Sequence, residues 1–170
     1  YLYAPTLTQI GLLWTDHKIC VAEEHRASRI VEALLDHNAA GTGKPGPRIG
    51  NVVVASPVGD RHSLAPQMVA AGLHAEGFRV SYLGADLPVG EIVQMAEREH
   101  ADLVAISCCV ADHSGLSDLL AQLTAAEFPT LVGGTGIGKS EALKLGATRY
   151  GASINEAQAL ARQLVRSRAD

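Results

Sequence analysis

The residues with the most chemical potential are an Asp and a His two positions apart, in Ser56-Pro-Val-Gly-Asp60-Arg61-His62-Ser63-Leu64-Ala65. An Asp that accepts the proton of one imidazole nitrogen fixes the tautomer and leaves the other nitrogen free to bind a metal or accept a proton. A second group comes earlier: Trp14, followed after nine residues by Glu24-His25. An indole offers a flat apolar surface, and a carboxylate beside an imidazole can hydrogen-bond hydroxyls. A third stretch, Gly133-Gly134-Thr135-Gly-Ile-Gly138-Lys139-Ser140, satisfies the pattern GxxxxGK[ST], in which backbone amides and a lysine cradle phosphates. That loop normally follows the first strand of its domain, and no apolar strand ending in an acidic magnesium ligand comes after this one. A nucleotide site is therefore the low-ranked alternative, and a glycine turn with an exposed Lys139 the plainer one.

Short Val/Ile-rich runs alternating with amphipathic stretches must position these groups. Asn51–Val54 precedes Ser63–Glu76, Phe78–Leu83 precedes Pro88–Glu99, and Asp102–Ser107 precedes Leu116–Ala126. The pattern continues through Thr130–Val132, a Gly-rich turn, Ala147–Tyr150 and a last helix over about Asn155–Arg168. Such alternation predicts an α/β fold, a doubly wound five-stranded parallel sheet of the flavodoxin-like, Rossmann type. Ligands of such sheets sit beyond the carboxyl ends of the strands, at the point where the crossovers change face. The loops to watch are therefore 57–62, 84–88, 107–114 and 133–138.

Upstream, Leu2, Ile10, Leu13 and Trp14, then Ile30, Val31, Leu34 and Leu35, recur at helical spacing. They predict two helices of a partial bundle, a cap over residues 1–40 whose periodicity is already running at residue 1, as in a truncated or processed bundle. A Gly/Pro-rich linker over 41–48 separates it from a second domain, 49–170.

Composition narrows the function classes. Of 170 residues, 47% are hydrophobic and 19% charged, with net charge -4, so a globular chain is expected and a direct nucleic-acid ligand is not. Neither a signal pattern nor an apolar run of membrane-spanning length is present, and Cys20, Cys108 and Cys109 have neither disulfide-framework nor zinc spacing. A reducing cytoplasm is the expected location, with the cysteines read as small structural hydrophobes.

Asp60-Arg61-His62 after the first strand, Ser107 after the third and Gly133-Gly134 after the fourth resemble the cobalamin-binding domain of methionine synthase and the corrinoid proteins. Tyr82-Leu-Gly-Ala-Asp86-Leu-Pro88 adds to the likeness, which runs from Ile49 to Leu164. The resemblance implies that His62 is the lower axial ligand of cobalt, displacing the cofactor's own base. It further implies that Asp60 and Ser107 complete the hydrogen-bonded shell, and that the released nucleotide tail lies against Gly133 and Gly134. Arg61, Ser63, Leu64, Cys109 and Thr135, in the same loops, join the expected cofactor contacts. One departure is Ala65, where the family's His loop ends in Gly; another is Cys109, where an aliphatic residue is usual.

Trp14 with Glu24-His25 ahead of such a domain resembles the cap of cobalamin-dependent photoreceptor regulators. There a helical bundle covers the upper cobalt face and its adenosyl group. The resemblance implies a sensory module using adenosylcobalamin, with methylcobalamin or hydroxocobalamin as other forms, whose light-driven loss of the upper ligand changes cap position or self-association. In those photoreceptors a His often follows the Trp and captures cobalt; here Thr15 stands there, with His17 two residues on. Water, another residue, or a second chromophore such as a bilin could take that part. No output domain is recognisable, so output falls to a missing segment, a partner chain or self-association. The competing expectation is a corrinoid methyl carrier or methyltransferase subunit, which needs Asp60, His62, Ser107 and Gly133-Gly134 but not Trp14.

Overall fold

The computed structural model describes residues 3–39 and 48–169. Two compact units, Tyr1–Thr42 and Gly43–Asp170, divide the chain inside the Gly/Pro-rich stretch; of the linker expected over 41–48, all but Arg48 lies outside the described residues.

The first unit holds α1 (Tyr3–Thr15) and α2 (Val21–Ala39). Its second helix begins where Glu23 reaches back, so that the Cys20 amide donates to Glu23 Oε2 at 2.8 Å, one half of a capping box. That hydrogen bond is the main reason the Glu23 carboxyl is held below its ordinary range. Val31 and Leu35 are buried, whereas Leu12, Trp14, Val21, Ile30 and Leu34 stay exposed.

In the second unit, strand and helix alternate as expected: β1 (Asn51–Pro57), α3 (Leu64–Glu76), β2 (Arg79–Leu87), α4 (Val89–Arg98), β3 (Leu103–Ser107), α5 (Ser114–Ala125), β4 (Thr130–Gly133), α6 (Lys139–Lys144), β5 (Arg149–Gly151) and α7 (Ile154–Ala169). All strand pairs are parallel, in the order β2-β1-β3-β4-β5. This is the flavodoxin-like order, and the change of direction falls between β1 and β3.

Strand composition follows from burial on both faces. Val53, Ala55, Val104, Ile106 and Val132 pack with Ile92, Leu116, Leu119, Leu120 and Leu123 from α4 and α5. Val52, Val54, Leu103, Ala105 and Leu131 pack with Leu73, Ala161 and Leu164 from α3 and α7. A strand covered on both faces reads as a continuous apolar run, as Val52–Ala55 does. Leu120→Ala removes a fully buried side chain from the first cluster and is expected to cost about 2–5 kcal/mol, measurable as a lower urea midpoint.

Three details depart from the sequence expectation. Strand β1 runs on through Ser56 to Pro57, because a proline at a strand end forgoes no needed amide bond. Strand β2 extends over Gly84–Leu87, which had been expected to be loop, with register shifts against β1 at Ala55 and Pro57. Helix α6 spans six residues, too few for its periodicity to show.

Candidate functional site

The carboxyl ends of β1 and β3 bring the His loop and the loop after Ser107 together at the switch point. Asp60 is fully buried and organises the junction. Its Oδ1 accepts the His62 backbone amide at 3.0 Å and lies 2.7 Å from His62 Nδ1, while its Oδ2 accepts the Cys109 amide at 2.6 Å. The His62 ring therefore has one nitrogen occupied and stands largely exposed, its Nε2 without a hydrogen-bond partner among the described residues. An imidazole whose tautomer is set by a buried carboxylate and whose second nitrogen is open is the donor arrangement a metal requires.

A second Asp braces the loop from β2. Asp86 sits at φ 58, and its amide donates to the Asp60 carbonyl at 2.8 Å. Its carboxylate accepts the Gly59 amide at 2.8 Å and Arg61 Nε at 3.2 Å, and the Tyr82 hydroxyl donates to the Ser63 carbonyl at 2.7 Å. Arg61, expected among the cofactor contacts, thus has its guanidinium on Asp86. The hydrogen bond from Gly59 holds the Asp86 carboxyl below its ordinary value of 3.8; some desolvation opposes this, and Arg61 helps. A carboxyl depressed in the folded state contributes stability above its unfolded value and loses it as the pH falls through the folded one. Acidification below about pH 3.8 is accordingly expected to release the Gly59 amide, seen as faster hydrogen exchange there, and Asp86→Asn to remove that pH dependence.

Ser107 stands beside this junction at the end of β3. Its hydroxyl is 3.8 Å from Cys109 Sγ, and the inter-loop bond to Asp60 comes from the Cys109 amide. A backbone donor carries no sequence signature, so only the fold could reveal it. Strand alternation places Ser107 on the α3/α7 face beyond Ala105, in line with Ser56 beyond Val54 and Gly133 beyond Leu131. Gly133 pairs in turn with Gly151. The edge is thus a row of small residues, in which the fully buried Ser56 hydroxyl has no hydrogen-bond partner among the described residues. Such an orphaned donor, beside strands too short in side chain to fill the edge, fits a polar group inserted from outside. Neither Ser56 nor Gly151 was singled out from sequence, since an isolated Ser or Gly at a strand end is unremarkable until its neighbours are known.

The glycine pair has a different physical reason than expected. A Cβ on Gly133 would come 2.7 Å from the Gly151 carbonyl oxygen, and one on Gly134, at φ +118, would be driven into the Cys108 backbone. Packing within the protein itself therefore excludes side chains there, before any nucleotide tail is considered. The phosphate-loop pattern is absorbed in the same way: the Gly136 amide donates to the Cys108 carbonyl at 3.0 Å, and the Gly136 carbonyl faces His113 Nε2 at 2.9 Å. Thr135 is exposed, Leu64 opens α3 half-buried, and Ala65 lies inside that helix rather than in the turn before it.

Trp14, Glu24 and His25 belong to the other unit. Trp14 is the penultimate residue of α1 and is 48% exposed; Glu24 accepts the Ser28 hydroxyl at 2.7 Å and lies 3.6 Å from His25 Nε2. His17, in the connection, is at φ 55. The Cys108 thiol is pushed up to about 11, chiefly by burial, as expected of an inert structural cysteine. No described helix is long and apolar enough to cross a membrane.

Comparison with known proteins shows which family the chain resembles and which fold it shares. The chain is 27% identical over 164 residues to dimethylamine corrinoid protein 1 of Methanosarcina acetivorans, covering 94% of this chain and 75% of that one. It is 29% identical to trimethylamine corrinoid protein 2 of the same organism, covering 86% and 69%. Among solved structures, the monomethylamine corrinoid protein of Methanosarcina barkeri shares the fold with a TM-score of 0.71 at 18% identity, covering 93% of this chain and 78% of that one. A chain of the methanol:cobalamin methyltransferase complex of Methanosarcina barkeri does so with 0.66 at 19% identity; the match covers 94% of this chain and 63% of that longer one. These relatives lend no support to the expectation of light sensing or transcriptional regulation. Residues 50–164 match the model of the B12 binding domain, and the chain belongs to that family.

Proposed function

We propose that this protein is a corrinoid carrier, holding its cofactor with the lower base displaced and His62 beneath the cobalt, and working with a partner methyltransferase. The observation that carries the reading is the His62 ring, with Nδ1 on buried Asp60 and Nε2 open at the sheet's carboxyl edge. Its similarity to a dimethylamine and a trimethylamine corrinoid protein supports a carrier over a sensor. When bound, a corrinoid supplies a cobalt whose upper position takes up and gives back a methyl group.

In this reading Asp60 orients the imidazole and adjusts how strongly Nε2 donates, because a proton drawn toward the carboxylate leaves a more basic ring. The Cys109 amide keeps the carboxylate from turning away. Asp86 and Tyr82 hold the loop so that little ordering cost remains when the cofactor enters. The row Ser56, Ser107, Gly133 would hold the displaced base, with the Ser56 hydroxyl available to hydrogen-bond it.

The half-exposed Trp14 indole, together with Glu24-His25, favours a second reading, a light sensor with adenosylcobalamin. One experiment separates the two. The protein is loaded with methylcobalamin or adenosylcobalamin, and its absorption spectrum is recorded before and after green light, then with a thiol methyl acceptor and its methyltransferase. Methyl loss to the acceptor in the dark supports the carrier. A light-dependent spectral and assembly change abolished by Trp14→Ala, without transfer, overturns it in favour of the sensor.

A further inference from the structure

Cys109 stands where its thiol has no part in the reading above, yet it lies beside the residues that do. Asp60, His62 and Cys109 each offer a ligand atom, a carboxylate oxygen, an imidazole nitrogen and Sγ, and these atoms lie within 4.8 Å of one another. The set is built rather than fortuitous: the Cys109 amide donates to Asp60 Oδ2 at 2.6 Å, and Asp60 Oδ1 lies 2.7 Å from the His62 ring. The loops after β1 and β3 are thereby fixed against each other.

We propose that in the corrinoid-free protein these three residues form a transition-metal site of the zinc class, which the corrinoid displaces. The donor types argue for the class. Thiolate with imidazole selects zinc and its neighbours over magnesium or calcium, which take oxygen ligands, and zinc accepts three protein ligands with water in the fourth position. The ion sits between His62 Nδ1 and Asp60 in place of their hydrogen bond. Binding breaks the S–H bond of Cys109, whose proton goes to solvent and whose electron pair forms the metal bond, and it moves the imidazole proton through solvent from Nδ1 to Nε2, so that the Nδ1 lone pair faces the ion. A tetrahedral site with ~2.0–2.3 Å bonds requires the Nδ1 to Oδ1 separation to widen from 2.7 Å, with Cys109 Sγ already within 4.8 Å of both.

Displacement by the corrinoid, and only that part of the proposal, rests on His62 being the lower cobalt ligand. An ion on Nδ1 removes the carboxylate hydrogen bond that prepares Nε2 for cobalt, so the two occupants exclude each other. The apo protein would then carry a protected thiol and imidazole until cofactor arrives.

The test uses the corrinoid-free chain with cobalt(II) and zinc(II) as probes. Cobalt(II) is expected to give a thiolate-to-metal charge-transfer band in the near ultraviolet and visible bands of tetrahedral intensity, both bleached by one equivalent of zinc. Cys109→Ala is expected to abolish the charge-transfer band and weaken zinc binding at least ~10-fold against a chromophoric chelator, with Cys109→Ser intermediate. Circular dichroism of the variants shows that they are folded. A cobalt(II) spectrum without the charge-transfer band, or equal zinc affinity in a folded Cys109→Ala, overturns the site. Stoichiometric zinc that leaves the rate and extent of cobalamin uptake unchanged overturns the displacement. Failure of cobalamin to bind at all, with the cobalt(II) band intact, strikes the carrier reading and leaves the zinc site standing.

Discussion

A His62→Ala variant loaded with cobalamin is expected to show the absorption of a cobalt without a protein nitrogen beneath it, and to hold the cofactor at least ~10-fold more weakly. The parent protein should instead show a nitrogen-ligated, base-off spectrum. The expectation rests on local geometry rather than on family likeness alone. The imidazole is the one group at the switch point whose free nitrogen faces outward and whose orientation is set by a buried charge. Truncation to alanine also removes the one ring contact of Asp60 Oδ1, leaving the carboxylate only the His62 and Cys109 amides. Asp60→Asn separates ligation from orientation: the ring stays, but the amide presents one acceptor where the carboxylate has two. Its affinity should fall by about 10–100-fold while the nitrogen-ligated spectrum persists. An unchanged spectrum in His62→Ala would remove His62 as the ligand, and a base-on spectrum in the parent would do the same.

The second large effect concerns stability. Gly134→Ala is expected to cost more than ~3 kcal/mol, seen as a collapse of the urea midpoint or failure to accumulate as folded protein. Two independent terms add. At φ +118 an L side chain is strained, and the new Cβ meets the Cys108 backbone, with its amide nitrogen at 2.8 Å. That backbone cannot retreat: the Cys108 amide donates to the Gly133 carbonyl at 2.8 Å, and the Cys108 carbonyl accepts the Gly136 amide at 3.0 Å. Gly138→Ala is the matched control, because its backbone is extended (φ -93, ψ 161) and a Cβ there meets nothing within 4 Å. It should change stability by no more than about 1 kcal/mol, with gain the expected sign, since alanine narrows the unfolded ensemble. Equal losses in the two variants would show that the glycine pair is not a packing requirement.

The alternation of Val-rich runs with amphipathic stretches was enough to specify a parallel, doubly wound sheet, because strands buried on both faces must be continuously apolar and their crossovers must be helical. The position of Asp60 and His62 in the loop after the first strand then placed them at the ligand edge. Their two-residue spacing sufficed for the hydrogen bond that orients the ring, since both ends lie on one short loop. What the sequence could not say is who else meets them. The partner of Asp60 Oδ2 is the Cys109 backbone amide, and since every residue but proline carries one, nothing in the sequence singles out this donor. The clustering of the Cys109 thiol with Asp60 and His62, and the alignment of Ser56 with Ser107, Gly133 and Gly151, depend on the order β2-β1-β3-β4-β5 and on strand register. Local propensity determines which segments become strands, but register is decided by long-range pairing and helix packing. The motif residues were therefore legible from the chain alone, whereas the contacts that turn them into a site exist only where two crossovers part.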